Sequence, residues 1–280
     1  MKRILVVANE TIAGESLIEA VRTRAEADDD VQIVICVPRT RPLHGAIIYD
    51  DFVHQAAQVR VDLARTYLRD RMGIEAIGEV GDPDPYTAAM DAIRDFHPDE
   101  VIISTKPATV SGWLRRDLVD RIAESSGLPV EHVVTDVDRE GLPFTVTLVI
   151  ANRTASTDTL CRHLKEKAAD GGDPRLFIVV VPQEGGEGHH AHRARGRMQQ
   201  LLERLREEGL LAAGMIGDPD PATAAKNALQ LFRVDEVVVS TFGPERSRWL
   251  RADVVERIRK ASPAPVEHVV AEDRQRAAVS

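Results

Sequence analysis

Residues 81–85 read Gly-Asp-Pro-Asp-Pro, and residues 129–134 read Pro-Val-Glu-His-Val-Val. Both strings return at residues 217–221 and 265–270, and the sequences between them align without a gap, with more than half of the positions identical. A long internal repeat decides domain organisation before any other signal does. Each copy is too long for a solenoid unit and has enough apolar strand and helix to enclose a core. The chain is therefore predicted to be two tandem domains of one fold.

The repeat also places the domain boundaries. The first domain is predicted to span residues 1–138 and the second residues 143–272, with a linker at residues 136–143. Residues 273–280 form a polar tail that is expected to fray.

The composition is that of an ordinary globular protein, with 43% hydrophobic and 29% charged residues in 280. A formal net charge of −9 argues against a nucleic-acid partner, because phosphate contacts need a basic surface. No apolar run approaches the roughly 20 residues of a membrane span, and the first residues show no signal-peptide pattern. Cys36 and Cys161 fall one to a domain, so we expect no disulfide and a cytoplasmic location.

Apolar strands alternate with amphipathic helices along the chain. The first domain is predicted to have strands at residues 3–9, 31–38, 75–80, 100–105 and 129–135, and helices at residues 15–27, 50–72, 85–96 and 113–125. Such alternation implies parallel strands joined by right-handed crossovers. Asp84 is placed to cap the third helix, with Pro85 in its first turn, and Gly73 is placed to end the second helix.

The second domain repeats this plan with one change. Residues 183–192, rich in Gly and His, are predicted to form a loop, and the second helix is predicted to shorten to residues 197–208. His189, His190 and His192 in this loop lack the i, i+4 spacing of a helical metal site, and the first domain has no such cluster. We assign no metal.

The order of these elements resembles the universal stress protein family. Twice, a unit of alternating strands and helices has Gly-Asp-Pro after its third strand, Ser-Thr at the end of its fourth, and a closing Pro-Val strand. The chain looks like a tandem universal stress protein, in the wider class of adenine-nucleotide alpha-hydrolase-like folds. The resemblance implies an α/β fold of two Rossmann-like domains, each a five-stranded parallel sheet of order 3-2-1-4-5 with helices on both faces.

Nucleotide-binding members of that family carry Gly-x2-Gly-x9-Gly-Ser/Thr after the fourth strand, where glycines let backbone N–H groups approach phosphates. The corresponding residues are Ser104, Pro107, Asp117 and Leu118 in the first domain, and Ser240, Gly243, Asp253 and Val254 in the second. Proline removes a donor, and a carboxylate repels a triphosphate. The phosphate motif is not retained, so ATP or AMP stays an open assignment as cofactor.

The rest of the family's site lies at the end of the first strand, where an Asp commonly contacts the nucleoside. Asn9 and Asn152 hold this place here. An Asn can hydrogen-bond a base or a ribose, or it can simply be a turn residue at a strand end. Gly81 and Gly217, in the two Gly-Asp-Pro turns, match the family but need only serve the turn and the helix cap.

A second motif, Ser-x-Trp-Leu-Arg-x-Asp, departs from the family and occurs at residues 111–117 and 247–253. In one interpretation the serines cap the following helix, the tryptophans cover the sheet end, and the charged residues make weak surface pairs. In the other, hydroxyls and an arginine form a replacement anion site at the edge where open α/β sheets bind ligands. The candidates are Ser104, Thr105, Ser111 and Arg115 in the first domain, and Ser240, Thr241, Gly243, Ser247 and Arg251 in the second.

Universal stress proteins typically dimerise through their fifth strands. The resemblance implies that the two copies pair in this way within one chain, or that the chain forms a homodimer. The facing residues would be Val130, His132 and Val134 of the first domain and Val266, His268 and Val270 of the second. Such pairing would hide two sheet edges.

Two functions remain open, and a third, a hydrolase or transferase of the same superfamily, is disfavoured because the phosphate motif is missing. The first is a stress-response regulatory protein with degenerate or altered binding of an adenine nucleotide. The second is a ligand-free interaction or scaffold module for a protein partner. An enzyme is not expected, because no Gly-x-Ser-x-Gly elbow occurs and no nucleophile has a base that the sequence reveals.

Overall fold

The computed structural model describes residues 1–27, 30–40, 50–107, 117–170, 172, 174–184 and 188–272; at residues 50–52, 188–190 and 251 it describes the backbone only. The chain divides into two compact units, residues 1–41 with 56–143 and residues 42–55 with 144–280. The first half denotes residues up to 143, and the second half denotes those from 144 onward.

The first half contains one parallel sheet. Its strands are β1 Lys2–Val7, β2 Val31–Pro38, β3 Ala76–Gly81, β4 Glu100–Thr105 and β5 Val130–Val134. Its helices are α1 Glu15–Ala27, α2 Asp50–Met72, α3 Pro85–Phe96, α4 Leu118–Ser126 and the short α5 Val137–Glu140. The strand order is β3-β2-β1-β4-β5.

The second half repeats this sheet. Its strands are β6 Thr145–Ile150, β7 Arg175–Pro182, β8 Leu211–Gly217, β9 Glu236–Phe242 and β10 Val266–Ala271. Its helices are α6 Asp158–Ala169, α7 Gly188–Glu207, α8 Pro221–Leu231, α9 Arg248–Arg251 and α10 Val254–Ala261. The order β8-β7-β6-β9-β10 equals that of the first sheet. The predicted fold class, two Rossmann-like α/β halves, is confirmed.

The central strands are apolar throughout because both of their faces are buried. In β1, Ile4 and Val6 pack in a cluster with residues of α1 and α2, while Leu5 and Val7 pack in another with residues of α3 and α4. In register, Val7 lies opposite Ile103 of β4. The carboxyl ends of β1 and β4 therefore meet at one edge of the sheet, and those of β6 and β9 meet in the same way.

The fourth helix of the repeat differs from the prediction of one helix over residues 113–125. In the second half it is two helices, α9 and α10, separated at Asp253, whose φ is 49°. In the first half α4 begins at Leu118, directly after Asp117 with a φ of 47°. The prediction was wrong because a single left-handed residue leaves the apolar spacing intact, and Asp tolerates that conformation better than most residues.

The second helix of the second half also differs from the prediction. Helix α7 begins at Gly188, although residues 183–192 were expected to form a loop, and it contains Gly196 in its interior. Glycine costs a helix only about 1 kcal/mol. Ala194, fully buried in the core of this half, is part of the packing that compensates. The prediction was wrong because it gave glycine more weight than burial.

The described residues form neither a metal-binding cluster nor a membrane-spanning helix. Its described side chains include no group of three or more His, Cys, Asp or Glu placed to hold a metal ion; the side chains of His189 and His190 lie outside that description. None of its described helices is long and apolar enough to cross a membrane.

The predicted linker contains a short helix with a capping function. The Glu140 carboxylate at the end of α5 accepts hydrogen bonds from the backbone N–H of Ser16 and of Asp136, each at 3.1 Å. Burial favours the neutral acid, but these donors outweigh it and hold the pKa of Glu140 below its ordinary value. The ionised carboxylate lies at the amino end of α1, where the helix dipole favours negative charge.

Candidate functional site

Two asparagines lie at the carboxyl ends of the central strands, Asn9 after β1 and Asn152 after β6. The backbone oxygen of each accepts a hydrogen bond from the residue three positions on, at 3.2 Å and 3.1 Å, so each asparagine opens a turn. The side-chain Oδ1 atoms of both are buried and have no hydrogen-bond partner among the described residues. A buried acceptor without a donor costs about 1–3 kcal/mol. Turn formation therefore does not account for the two amide oxygens.

Each of these turns is tied to the neighbouring strand by a threonine that sequence reasoning missed. Thr11 Oγ1 donates to the backbone oxygen of Ser104 at 3.3 Å, and Thr154 Oγ1 donates to that of Ser240 at 3.0 Å. Both threonines are buried. These bonds bring the asparagine turn and the serine position to one edge in each half. The recurrence of Asn-x-Thr after both central strands was the available signal.

The serines at the ends of β4 and β9 have different surroundings. Ser104 Oγ lies 2.9 Å from Thr135 Oγ1, and both side chains are buried. The position of Thr135 is taken by Ala271 in the second half. Ser240 Oγ is buried and has no partner within the described ranges. The hydroxyl is satisfied in the first half and unsatisfied in the second.

The hydroxyl protons of the neighbouring threonines, Thr105 and Thr241, are already donated in hydrogen bonds. Thr105 Oγ1 and Thr241 Oγ1 each donate to the backbone oxygen of the next residue, at 3.1 Å and 2.9 Å. Each also lies 2.8 Å from a histidine Nε2, that of His132 or His268 on the adjacent strand. Because a hydroxyl has one proton, the histidine must be the donor in this second bond. An anion needs donors, so the geometry does not favour these two threonines as an anion site.

Charged residues that sequence reasoning did not single out lie near the same edge. Arg60 of α2 and Arg197 of α7 hold matching positions. Each directly precedes a residue, Val61 or Met198, that packs against a glycine of the third strand, Gly78 or Gly214. Burial lowers the pKa of Arg60 to about 10, and the Glu10 carboxylate partly offsets this. Glu10 also pairs with Lys106, while Arg197 pairs with Glu184 at 3.1 Å. Arg60 stands between Val59 and Val61, which are both buried, and this position in the helix was the missed signal.

Gly81 and Gly217 have a packing role. A Cβ on Gly81 would lie 2.6 Å from the Cβ of Ala88, and one on Gly217 would lie 2.6 Å from that of Ala224. Real Cβ atoms do not approach so closely, so glycine lets the following helix lie against the sheet. Asp84 caps that helix in the first half by accepting from Thr87 N at 3.0 Å, as predicted.

Only part of the two Ser-x-Trp-Leu-Arg-x-Asp motifs lies within the described residues. Ser247 caps α9, because its Oγ accepts from Leu250 N at 3.3 Å, which confirms the predicted capping role there. The backbone oxygen of Gly243 accepts from Ser247 N at 3.0 Å, and a Cβ added to Gly243 would have no atom within 4 Å beyond its chain neighbours. Ser111, Arg115 and the side chain of Arg251 lie outside the described residues.

The residues predicted to pair the two halves lie on edge strands. β5 and β10 are each the last strand of their sheet. Val134 is 46% exposed and Val270 is 49% exposed. That Val130, His132 and Val134 face Val266, His268 and Val270 stays a prediction.

The asparagine and serine side chains at these edges can donate and accept hydrogen bonds. The Thr105–His132 contact is not a nucleophile–base pair, because the threonine proton goes to a backbone oxygen. Cys36 and Cys161 are buried, and burial raises the pKa of both thiols, so they stay protonated. A buried thiol of this kind behaves as a small apolar side chain.

Comparison with known proteins finds similar structures only. No family model matches the chain, and no curated protein matches it. A protein from the universal stress protein family of Burkholderia pseudomallei is 18% identical with a TM-score of 0.34, over 45% of this chain and 96% of that one. A universal stress protein from Archaeoglobus fulgidus is 15% identical with a TM-score of 0.34, over 97% of both chains. At these identities and scores the likenesses carry no weight for function.

Proposed function

We propose that the chain is a universal stress protein-like regulatory protein that binds the nucleoside part of an adenine nucleotide and leaves the phosphates loosely held. The observation that carries this proposal occurs in both halves. Asn9 and Asn152, at matching strand ends, each bury an amide oxygen that lacks a donor in the described chain. Such an acceptor suits the exocyclic amine of adenine or a ribose hydroxyl. The carboxyl edge of an α/β sheet is also where this architecture binds ligands.

Weak binding of the phosphates is supported by three residues. Pro107 has no backbone N–H to offer to a phosphate. Asp117 and Asp253 are exposed and have positive φ, a conformation that glycine adopts freely. Carboxylates at these two positions repel a triphosphate.

We further propose that the protein is cytoplasmic and has no enzymatic activity. Both cysteines are free and buried, which suits a reducing compartment. Thr105 and Thr241 donate to backbone oxygens, Ser104 is paired with the hydroxyl of Thr135, and Ser240 has no partner among the described residues, so none of these four hydroxyls has a base that would activate it. Recognition of a nucleotide without turnover fits these features.

A second candidate function is a ligand-free interaction module, in which the fifth strands pair within the chain or with a second copy. The exposed valines on β5 and β10 favour this candidate, because an edge strand with exposed apolar residues tends to pair with another strand. In this candidate the protein partner replaces the nucleotide as the functional ligand.

Calorimetric titration with adenosine, AMP, ADP and ATP separates the two candidates. For the regulatory function we expect all four to bind, with affinities within about threefold of one another, because the phosphates add little. The double variant Asn9→Ala/Asn152→Ala should not bind. The matched double variant Asn9→Asp/Asn152→Asp keeps an acceptor oxygen at each place and should bind.

The proposal fails if no adenine compound binds, or if the alanine variant binds as the wild type does. Affinity that rises steeply from adenosine to ATP would contradict loose holding of the phosphates. Release of ADP or AMP from ATP during the titration would contradict the absence of enzymatic activity.

A further inference from the structure

At one pair of matching positions, the larger side chain of the first half is the smaller one of the second half, and the reverse. The first half has Gly14 and Thr135, where the second half has Thr157 and Ala271. A Cβ on Gly14 would lie 2.0 Å from Cγ2 of Thr135. Thr135 therefore occupies space that only a glycine leaves open, and the two pairs are alternative ways to fill the end of the sheet.

The exchange decides whether the serine at the edge has a partner. In the first half the hydroxyl of Thr135 lies 2.9 Å from that of Ser104. In the second half the hydroxyl of Thr157 donates to Thr154 O at 2.7 Å and accepts from Leu160 N at 3.4 Å, as the cap of α6. It is turned to the helix, and Ala271 has no hydroxyl to replace it. Ser240, which is 1% exposed, is left with no partner in the described chain.

Two further differences point the same way. The amide nitrogen of Asn9 donates to Thr40 Oγ1. The residue that matches Thr40 is Glu184, which pairs with Arg197 instead. After the fourth strand the first half has Pro107, without an N–H, and the second half has Gly243 in open space. In the first half the amide nitrogen of the asparagine already has a partner, and the residue after the fourth strand has no N–H. In the second half Glu184 does not take the amide nitrogen of Asn152, and Gly243 has an N–H.

We propose that the second half alone binds the nucleoside, and that in the first half Thr135 and Thr40 take polar contacts of Ser104 and Asn9 that a ligand would otherwise make. This inference rests on the proposed function and assigns it to one site. Asn152 Oδ1 accepts from the amine or ribose hydroxyl of the ligand, and Ser240 Oγ bonds to the polar group that enters beside it. Thr135 and Ala271 are the specificity-determining residues. Thr135 closes the site of the first half, and Ala271 leaves the site of the second half open.

The first test is the stoichiometry of AMP binding, measured by calorimetry on the full chain. We expect one site per chain. Asn152→Ala should weaken binding by about tenfold or more, and Asn9→Ala should change it by less than about twofold. The two alanine variants are controls for each other, and thermal unfolding checks that both are folded.

The second test exchanges the two pairs. Thr157→Gly/Ala271→Thr gives the second half the filled arrangement and should abolish binding. Gly14→Thr/Thr135→Ala gives the first half the open arrangement and should add a second site. Both members of a pair are changed together because one alone would clash or leave a void. If an exchanged variant does not fold, the two single asparagine variants decide the question.

The outcomes separate this inference from the proposed function. Two equal sites, or loss of binding in Asn9→Ala with Asn152→Ala unaffected, overturn the inference and leave nucleoside binding intact. No binding of AMP or adenosine by the wild type overturns the proposed function, and the inference with it.

Discussion

Ser104 and Ser240 occupy the same position in the two halves, and they differ by one contact. The hydroxyl of Ser104 meets that of Thr135, whereas the hydroxyl of Ser240 meets nothing among the described residues. Leaving a buried polar group without its hydrogen-bond partner lowers the free energy of unfolding. Deleting a buried polar group that has no partner also deletes its desolvation penalty, and so it costs less stability. The two positions therefore offer an internal comparison of a satisfied and an unsatisfied hydroxyl.

We expect Ser104→Ala to lower the free energy of unfolding by about 1–2 kcal/mol, because Thr135 is left buried without its partner. Ser240→Ala should be neutral or slightly stabilising, because it removes a hydroxyl that has no partner to lose. Urea unfolding of the two variants, which delete the same atom, measures the difference. Equal losses would show that Ser240 is satisfied in solution, and the comparison between the halves would then fail.

His268 is expected to make the stability of the second half depend on pH. Burial, with the nearby charge of Arg259, lowers the pKa of His268 from its ordinary value of about 6.5. The unfolded chain then binds the proton more readily than the folded one. The contribution of His268 is therefore present above about pH 6.5 and is lost as the pH falls through the folded pKa.

We expect the free energy of unfolding to fall as the pH is lowered from about 7 to about 5.5, with a smaller slope in His268→Gln. Glutamine keeps a donor for Thr241, so the variant removes the titration and not the hydrogen bond. Urea unfolding at a series of pH values measures both slopes. A slope that is the same in the variant and the wild type would exclude His268 as its source.

At the scale of elements, the two halves solve the same packing problem with different contacts. Arg121 of α4 lies over the ring of Tyr86, 4.1 Å from its centroid. The matching Arg257 of α10 instead binds the Asp220 carboxylate with two nitrogens, at 3.0 Å and 2.8 Å. Burial opposes ionisation of Asp220, but Arg257 and Thr223 outweigh it, and the pKa of Asp220 lies below its ordinary value. Tyr86 is replaced by alanine in the second half, which leaves the arginine without a ring to stack on.

The approach of α3 and α8 to their sheets is common to both halves and depends on glycine. We expect Gly81→Ala and Gly217→Ala each to lower the free energy of unfolding by about 1–3 kcal/mol, because the new methyl group would overlap Ala88 or Ala224. Gly243→Ala is the matched control, since no atom lies within 4 Å of its Cβ position. Thermal or urea unfolding measures all three. Full stability with loss of nucleoside binding would instead indicate that Gly81 and Gly217 contact a ligand.

At the scale of the whole molecule, the fold follows from the sequence more readily than the site does. Strands such as β1 are buried on both faces and therefore appear as continuous apolar runs, and the repeat shows each such run twice. The contacts of the site join distant positions: Thr11 bonds to a residue 93 positions away, and Ser104 to one 31 positions away. Local spacing cannot reveal such pairs. The asparagines were located because they follow the first strand of each half, where the family resemblance implies a contact with the nucleoside.

The edges of the two sheets lead to a prediction about assembly. Val134 and Val270 are exposed at matching edge strands, and Ile77, on the opposite edge strand of the first sheet, is 38% exposed. If the fifth strands pair within one chain, the wild type should have the mass of a monomer by light scattering. Val134→Lys/Val270→Lys should then keep that mass and increase the hydrodynamic radius, because charges on both edges oppose pairing. Ile77→Lys, the control, should change neither quantity. A dimeric wild type that the double variant converts to a monomer would place the pairing between chains, and a double variant identical to the wild type would exclude these strands as an interface.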